Sequence, residues 1–188
     1  MLARIIAPSD LDRAYEIKSL GADRTYGITS DPLTQFSCIF SAVIHDVDHP
    51  GVTNITLIAE KTELAERYNN KSVAEQNSVD LAWNLLMSPK YQALRSAIYS
   101  NEVELRRFRQ LVVNSVMATD IADRDQKVFR NARWDRAFHE TVIENEEDSI
   151  NRKATIVIEH LIQASDVSHT MQHVRVLLYI FTIFTNKI

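Results

Sequence analysis

Apolar residues recur at helical intervals over most of the chain, and no stretch alternates convincingly with period two. Asp31-Pro32 reads as an N-cap followed by proline at the first helical position. The helix it opens is expected to run through "LTQFSCIFSAVIHDVDH" and stop near Pro50-Gly51. Ser72 and Glu75 have capping-box spacing, with Val79, Trp83 and Leu86 following on one stripe. Ser88-Pro89 starts another segment, striped by Tyr91, Leu94 and Ile98. Leu105, Phe108, Val112, Ser115 and Val116 mark a longer helix ending near Asp120. A last strong helix is expected from about Arg152 to Asp166. The acidic stretch 139–151 before it reads as a solvated loop or a frayed helix end. The pattern predicts an all-α fold, packed irregularly because its helices differ in length and character. Residues 1–30 read as a lead-in and residues 31–188 as the domain.

Composition narrows the function classes. A chain of 188 residues that is 45% hydrophobic has enough apolar material for one folded domain. Three glycines and four prolines are too few for a turn-rich all-β protein. The net charge is −4 and the basic residues are scattered, which excludes a nucleic-acid surface: no DNA or RNA partner is expected. Cys38 is the only cysteine and lies in an apolar run. It reads as a buried small hydrophobe in a reducing, cytoplasmic setting. The N-terminus "MLARIIAPSDLDR" has too short an apolar stretch for a signal peptide. The run "VLLYIF" near the C-terminus falls far short of the roughly 20 residues that span a bilayer, so it is expected to face the core.

The chemistry concentrates in "SAVIHDVDHPGVTN". His45 and His49 are four apart and would share one helical face, with Asp46 about 100° away from His45. A cation beside the helix could still meet both His45 and Asp46. Imidazole supplies a neutral nitrogen, and a carboxylate supplies oxygen that bridges two cations. Two cations a few ångström apart clamp a phosphate and activate a water. The competing reading is a capped helix end, with Asp48 and His49 as polar C-terminal residues. The apolar "CIFSAVI" before His45 favours the metal reading, because a polar pair at the edge of buried surface needs a partner.

"HDVDHPGVTN" resembles the signature His-Asp-x-x-His-x-x-x-x-Asn of class I 3′,5′-cyclic nucleotide phosphodiesterases, at His45, Asp46, His49 and Asn54. "LAERYNNKSVAEQNSV" is similar to the family segment leading to a fixed glutamate, here Glu75. "VMATDIA" resembles the Ala-Thr-Asp segment at Thr119 and Asp120, and "LIQASDVSH" resembles the segment carrying a distant aspartate, here Asp166. The order agrees over roughly residues 33–173. The resemblance implies an irregular helical bundle of the phosphodiesterase or HD-domain type. It implies two divalent ions, zinc and magnesium, with manganese as a substitute. His45, Asp46 and Asp166 would be metal ligands, Asp46 bridging. His49, Glu75 and Thr119 would surround the second ion and its waters. The implied reaction is attack of a metal-bridging hydroxide on cAMP or cGMP, giving the 5′-monophosphate. His139, His160, His169 and His173 match no family ligand and are expected to be structural or on the surface.

The match has gaps. The family carries His-Asn-x-x-His-Ala upstream, supplying a general acid and one more zinc ligand, whereas residues 1–44 hold no histidine. The purine-clamping Gln and Phe have no counterpart in context after His173. "EQNS" at 75–78 stands where relatives commonly have Glu-Asn-His-His. Weak or absent activity is therefore expected of this exact chain, read as part of a phosphodiesterase catalytic domain. The alternatives are a non-catalytic regulatory or oligomerising helical module, or a phosphohydrolase of the wider His-Asp class. A homodimer, or fusion to other signalling domains, is the partner arrangement left open.

Overall fold

The computed structural model describes residues 26–139 and 145–168. Eight α-helices follow one another: α1 Pro32–Ile44, α2 Asn54–Ala59, α3 Glu63–Arg67, α4 Val73–Met87, α5 Gln92–Ile98, α6 Glu102–Met117, α7 Arg124–Phe138 and α8 Glu146–Asp166. A 3₁₀ turn, Pro89–Tyr91, joins α4 to α5. No strand occurs among the described residues, so the all-α expectation holds. None of these helices is long and apolar enough to cross a membrane.

Helix α6 is the axis. Phe108, Val112 and Val116 repeat every four residues on it and are fully buried. Helix α1 packs along α6, while α4 and α8 cover its other sides. The Phe108 ring lies 5.6–6.4 Å from the rings of Phe36, Phe40, Trp83 and Tyr99. A second core joins Ile28, Cys38 and Ile158, so α8 is held against α1. Burial pushes the Cys38 thiol up to about 11, which keeps it neutral as an inert core residue. A third, smaller core of Leu57, Ala65, Tyr68 and Val73 supports the turns between α2 and α4.

Several helix ends follow the sequence rules. Asp31 caps α1 by accepting from the Leu33 amide and the Thr34 hydroxyl, and it pairs with Arg107 of α6. Burial pushes its carboxyl up, yet the Thr34 and Arg107 contacts and the Leu33 amide hold it below the ordinary value. Other expectations need correction. Helix α4 does start after Ser72, but Ser72 adopts a left-handed conformation (φ 36°) and makes no capping bond. Its hydroxyl instead accepts from the Gln126 amide. Glu75, freed from the cap, is used elsewhere. Helix α8 begins at Glu146, so 146–151 is helical and not a loop.

Helices α2, α3 and α7 have no counterpart in the pattern-based reading. Helix α7 lacks a continuous apolar stripe, with Val128 and Phe129 facing solvent. It is fastened to α8 by Arg133 against the buried Glu159 and by Trp134 packed at a tilt against His160. His160 is thus structural, as expected, while His169, His173 and the apolar C-terminal run lie outside the described residues.

Candidate metal centre

The end of α1 departs most from expectation. The helix stops at Ile44, five residues before His49. His45 serves as its C-cap, and two tight turns follow, closed by Val47 N–H to Ile44 O and His49 N–H to Asp46 O. Asp48 then takes a left-handed conformation (φ 59°). His45 and His49 therefore do not share a helical face. The cause lies in α4: the buried Ser78 hydroxyl donates to Val47 O at 2.7 Å, and the Asn77 amide donates to Asp48 Oδ2 at 3.1 Å. Both residues sit in the "EQNS" segment and grip the turn that presents His45 and Asp46.

On that turn the His45 ring is fixed at both nitrogens. Nδ1 lies 2.9 Å from the Ala42 carbonyl, which can only accept, so the proton sits on Nδ1. Nε2 then faces two carboxylates, 3.2 Å from Asp166 Oδ1 and 3.4 Å from Asp46 Oδ2. Ligand atoms from all three residues lie within 4.8 Å of one another. Ligands about 2.0–2.2 Å from a tetrahedral cation stand roughly 3.3 Å apart. The nitrogen-to-oxygen spacings match that value, and an imidazole with two carboxylates is a donor set that zinc accepts. The three residues fit a divalent ion. Asp166 arrives from the last turn of α8, where Gln163 donates to the Ala118 carbonyl and ties α8 to the end of α6.

A second polar cluster lies where α2, α4 and the end of α6 meet. Asn54 donates from Nδ2 to Glu75 Oε2 at 2.8 Å and to Asp120 Oδ2 at 3.2 Å. Its Oδ1 accepts the Ala74 amide at 3.0 Å. Asp120 is only 5% exposed, and its Oδ1 accepts the amides of Ala122 and Asp123. Burial raises the Glu75 carboxyl above its ordinary value; the Asn54 bond opposes this, Asp120 adds to it, and His49 lowers it. His49 is exposed and accepts the Gly51 amide at Nδ1. Thr119 stands beside Asp120, its hydroxyl turned back to Val116 O. Of the six expected site residues, His45, Asp46 and Asp166 form a triad, His49 lies within electrostatic reach of Glu75, and Thr119 meets that cluster only as the chain neighbour of Asp120. Asn54 and Asp120 are the residues whose part the sequence reading missed. Asn54 was visible as the last position of the signature, but no spacing rule linked it to Glu75 or Asp120.

A family model for 3′,5′-cyclic nucleotide phosphodiesterases matches residues 18–183. The chain belongs to the 3′,5′-cyclic nucleotide phosphodiesterase family. It is 36% identical over 126 residues to the human (Homo sapiens) cGMP-inhibited 3′,5′-cyclic phosphodiesterase 3A, covering 60% of this chain and 11% of that protein. It is 30% identical over 155 residues to the mouse (Mus musculus) 3′,5′-cyclic-AMP phosphodiesterase 4C, covering 80% of this chain and 21% of that one. The chain therefore spans about a tenth to a fifth of the length of these two relatives. In fold it is similar to the crystal structure of the phosphodiesterase domain of the RhoPDE fusion protein from the choanoflagellate Salpingoeca rosetta. That match has a TM-score of 0.58 and 24% identity, over 72% of this chain and 40% of the other. The phosphodiesterase-type helical fold expected from the motifs is thus present.

Proposed function

We propose that the site hydrolyses 3′,5′-cyclic nucleotides, cAMP or cGMP, to 5′-nucleoside monophosphates with the help of two divalent ions. The observation that carries this reading is His45 Nε2 set between the carboxylates of Asp46 and Asp166, residues 121 positions apart in the case of His45 and Asp166. In this reading His45, Asp46 and Asp166 would hold a tightly bound ion, zinc by donor type, and Asp46 would also serve a second, magnesium or manganese. When bound, such ions supply Lewis acidity toward phosphate oxygens and lower the pKa of water.

The protein's own contribution is positional. The Ala42 carbonyl holds the His45 proton on Nδ1 and leaves Nε2 as the donor atom. Ser78 and Asn77 clamp the turn that carries His45 and Asp46. His49, Glu75 and Thr119 would orient water around a second ion. Water adds to phosphorus and the bond to the 3′ oxygen breaks, so that oxygen must gain a proton. Residues 1–44 contain no histidine to give it. General acid catalysis is worth roughly 10²–10⁴-fold, so residues 1–188 by themselves turn over slowly. The buried, unpaired Cys38 supports a reducing, cytoplasmic location.

The direct test is hydrolysis of cAMP and cGMP with added zinc and magnesium, comparing the unsubstituted chain with Asp46→Ala and Asp166→Ala. Loss of the residual turnover in both variants supports the assignment. Turnover indifferent to both substitutions removes it. A homodimer, or fusion to other signalling domains, would show as a doubled mass in light scattering or as flanking reading frame.

A further inference from the structure

The Asn54 side chain makes three hydrogen bonds. Both of its N–H groups point at carboxylates from different elements, and its oxygen takes the Ala74 amide at the start of α4. One of those carboxylates, Asp120, cannot move freely: it is 5% exposed, its other oxygen accepts two backbone amides, and Arg130 donates to its main-chain carbonyl. The other carboxylate, Glu75, is half-buried, and its Oε2 accepts the 2.8 Å bond from Asn54. Glu75 lies in the first turn of α4, where Ser72 makes no capping bond. Without Asn54, two carboxylates would face each other across the start of α4 with no donor between them, and like charges repel.

We propose that Asn54 is a positioning residue for Glu75, holding its carboxylate toward the second-cation shell by tying it to Asp120 as a fixed anchor. This rests on the reading that Glu75 orients water around that cation. Asn54 touches neither substrate nor cation in this account. It acts through Glu75, which separates it from a residue that only stabilises the fold. Asp120 acts one step further back, through Asn54.

The experiment uses the full chain and two readouts. The first is metal-free: carbon-13 NMR of the Glu75 carboxyl across a pH titration. Asn54→Ala removes the amide donor, so the Glu75 midpoint rises; Asp120→Asn, which removes a neighbouring negative charge, lowers it. An unchanged Glu75 midpoint in Asn54→Ala overturns the proposal. The second uses Mn²⁺ as the probe, followed by electron paramagnetic resonance, in a double-mutant cycle. Asn54→Ala and Glu75→Gln each weaken Mn²⁺ binding by roughly 10–100-fold. The double variant is weaker than the worse single by no more than about 2-fold, because both act through one carboxylate. Additive losses, or an Asn54→Ala chain that binds Mn²⁺ as tightly as the unsubstituted one, overturn the proposal even if the NMR shift is seen. If Asn54→Ala does not fold by circular dichroism, Asn54→Ser carries the same comparison with a smaller packing defect. An unsubstituted chain that binds no Mn²⁺ at all overturns the two-cation reading, and the NMR arm alone then decides the hydrogen-bonded lock.

Discussion

Two carboxylates in this chain respond to pH with opposite sign, and both say something about the site. Asp31 sits below its ordinary value in the folded chain. Its contribution to stability is present above the ordinary carboxylate range and is lost as pH falls through the lowered value. Asp31→Ala should cost about 1 kcal/mol near neutral pH, as for other N-cap losses, and less in acid; urea melts at two pH values measure this. Glu75 sits above its ordinary value, chiefly through burial. Ionising it therefore opposes folding, and stability falls as pH rises from the ordinary value through the raised one. Glu75→Gln should melt higher than the unsubstituted chain at neutral pH, with the gap closing in acid, while its cation binding worsens. A half-buried carboxylate whose ionisation weakens the fold, set in a polar cluster, is a candidate for chemistry. His45 and Asp46 were legible because donor types crowd into ten positions, whereas Asp166 came only from the resemblance. Asn54 was legible only as a letter, since its partners lie 21 and 66 residues away.

Elements were readable to the extent that they carry a stripe. Helices α4, α5, α6 and α8 and the start of α1 follow from apolar spacing and from Pro or Asp at their ends. Helices α2 and α3 are six and five residues long, too short for a periodic signal, and depend on the Thr53 and Thr62 caps. Helix α7 packs through an ion pair and a tilted ring contact, which no hydropathy pattern encodes. The false extension of α1 to His49 has the same origin: the sequence around it is helix-compatible, and the turn is imposed by Ser78 and Asn77 from another helix. Ser78→Ala should therefore matter more than its size. It strands the Val47 carbonyl, costing about 1–3 kcal/mol in chemical denaturation, and should weaken zinc binding by loosening the turn. Phe108→Ala, at the centre of the aromatic cluster on α6, should cost about 3–5 kcal/mol. Because α6 supports α1, α4 and α8 together, that loss should unfold the chain cooperatively rather than disturb the site alone.

At the scale of the whole molecule, the fold brings position 45 to position 166. Local pattern could not foresee that meeting; resemblance to a family with a distant aspartate did. The packing that achieves it is concrete. Ile28, Cys38 and Ile158 bind α8 to α1, and Gln163 reaches the Ala118 carbonyl. The residues of the His-Asp signature, the α4 segment that clamps it and the aspartate on α8 then behave as one unit. Under the proposed reaction, residues 1–188 should turn over cyclic nucleotides slowly, because no histidine precedes His45 in this sequence to protonate the leaving oxygen, and rapid turnover of cAMP or cGMP would contradict this part of the account. Cation binding is the more direct test, because it does not depend on how the leaving oxygen is protonated. Isothermal titration of the metal-free chain with Zn²⁺ should give one tight site, weakened by roughly 10–100-fold or more in Asp166→Ala with the fold intact by circular dichroism. Equal zinc affinity in the unsubstituted and Asp166→Ala chains would contradict the claim that His45, Asp46 and Asp166 form a metal centre.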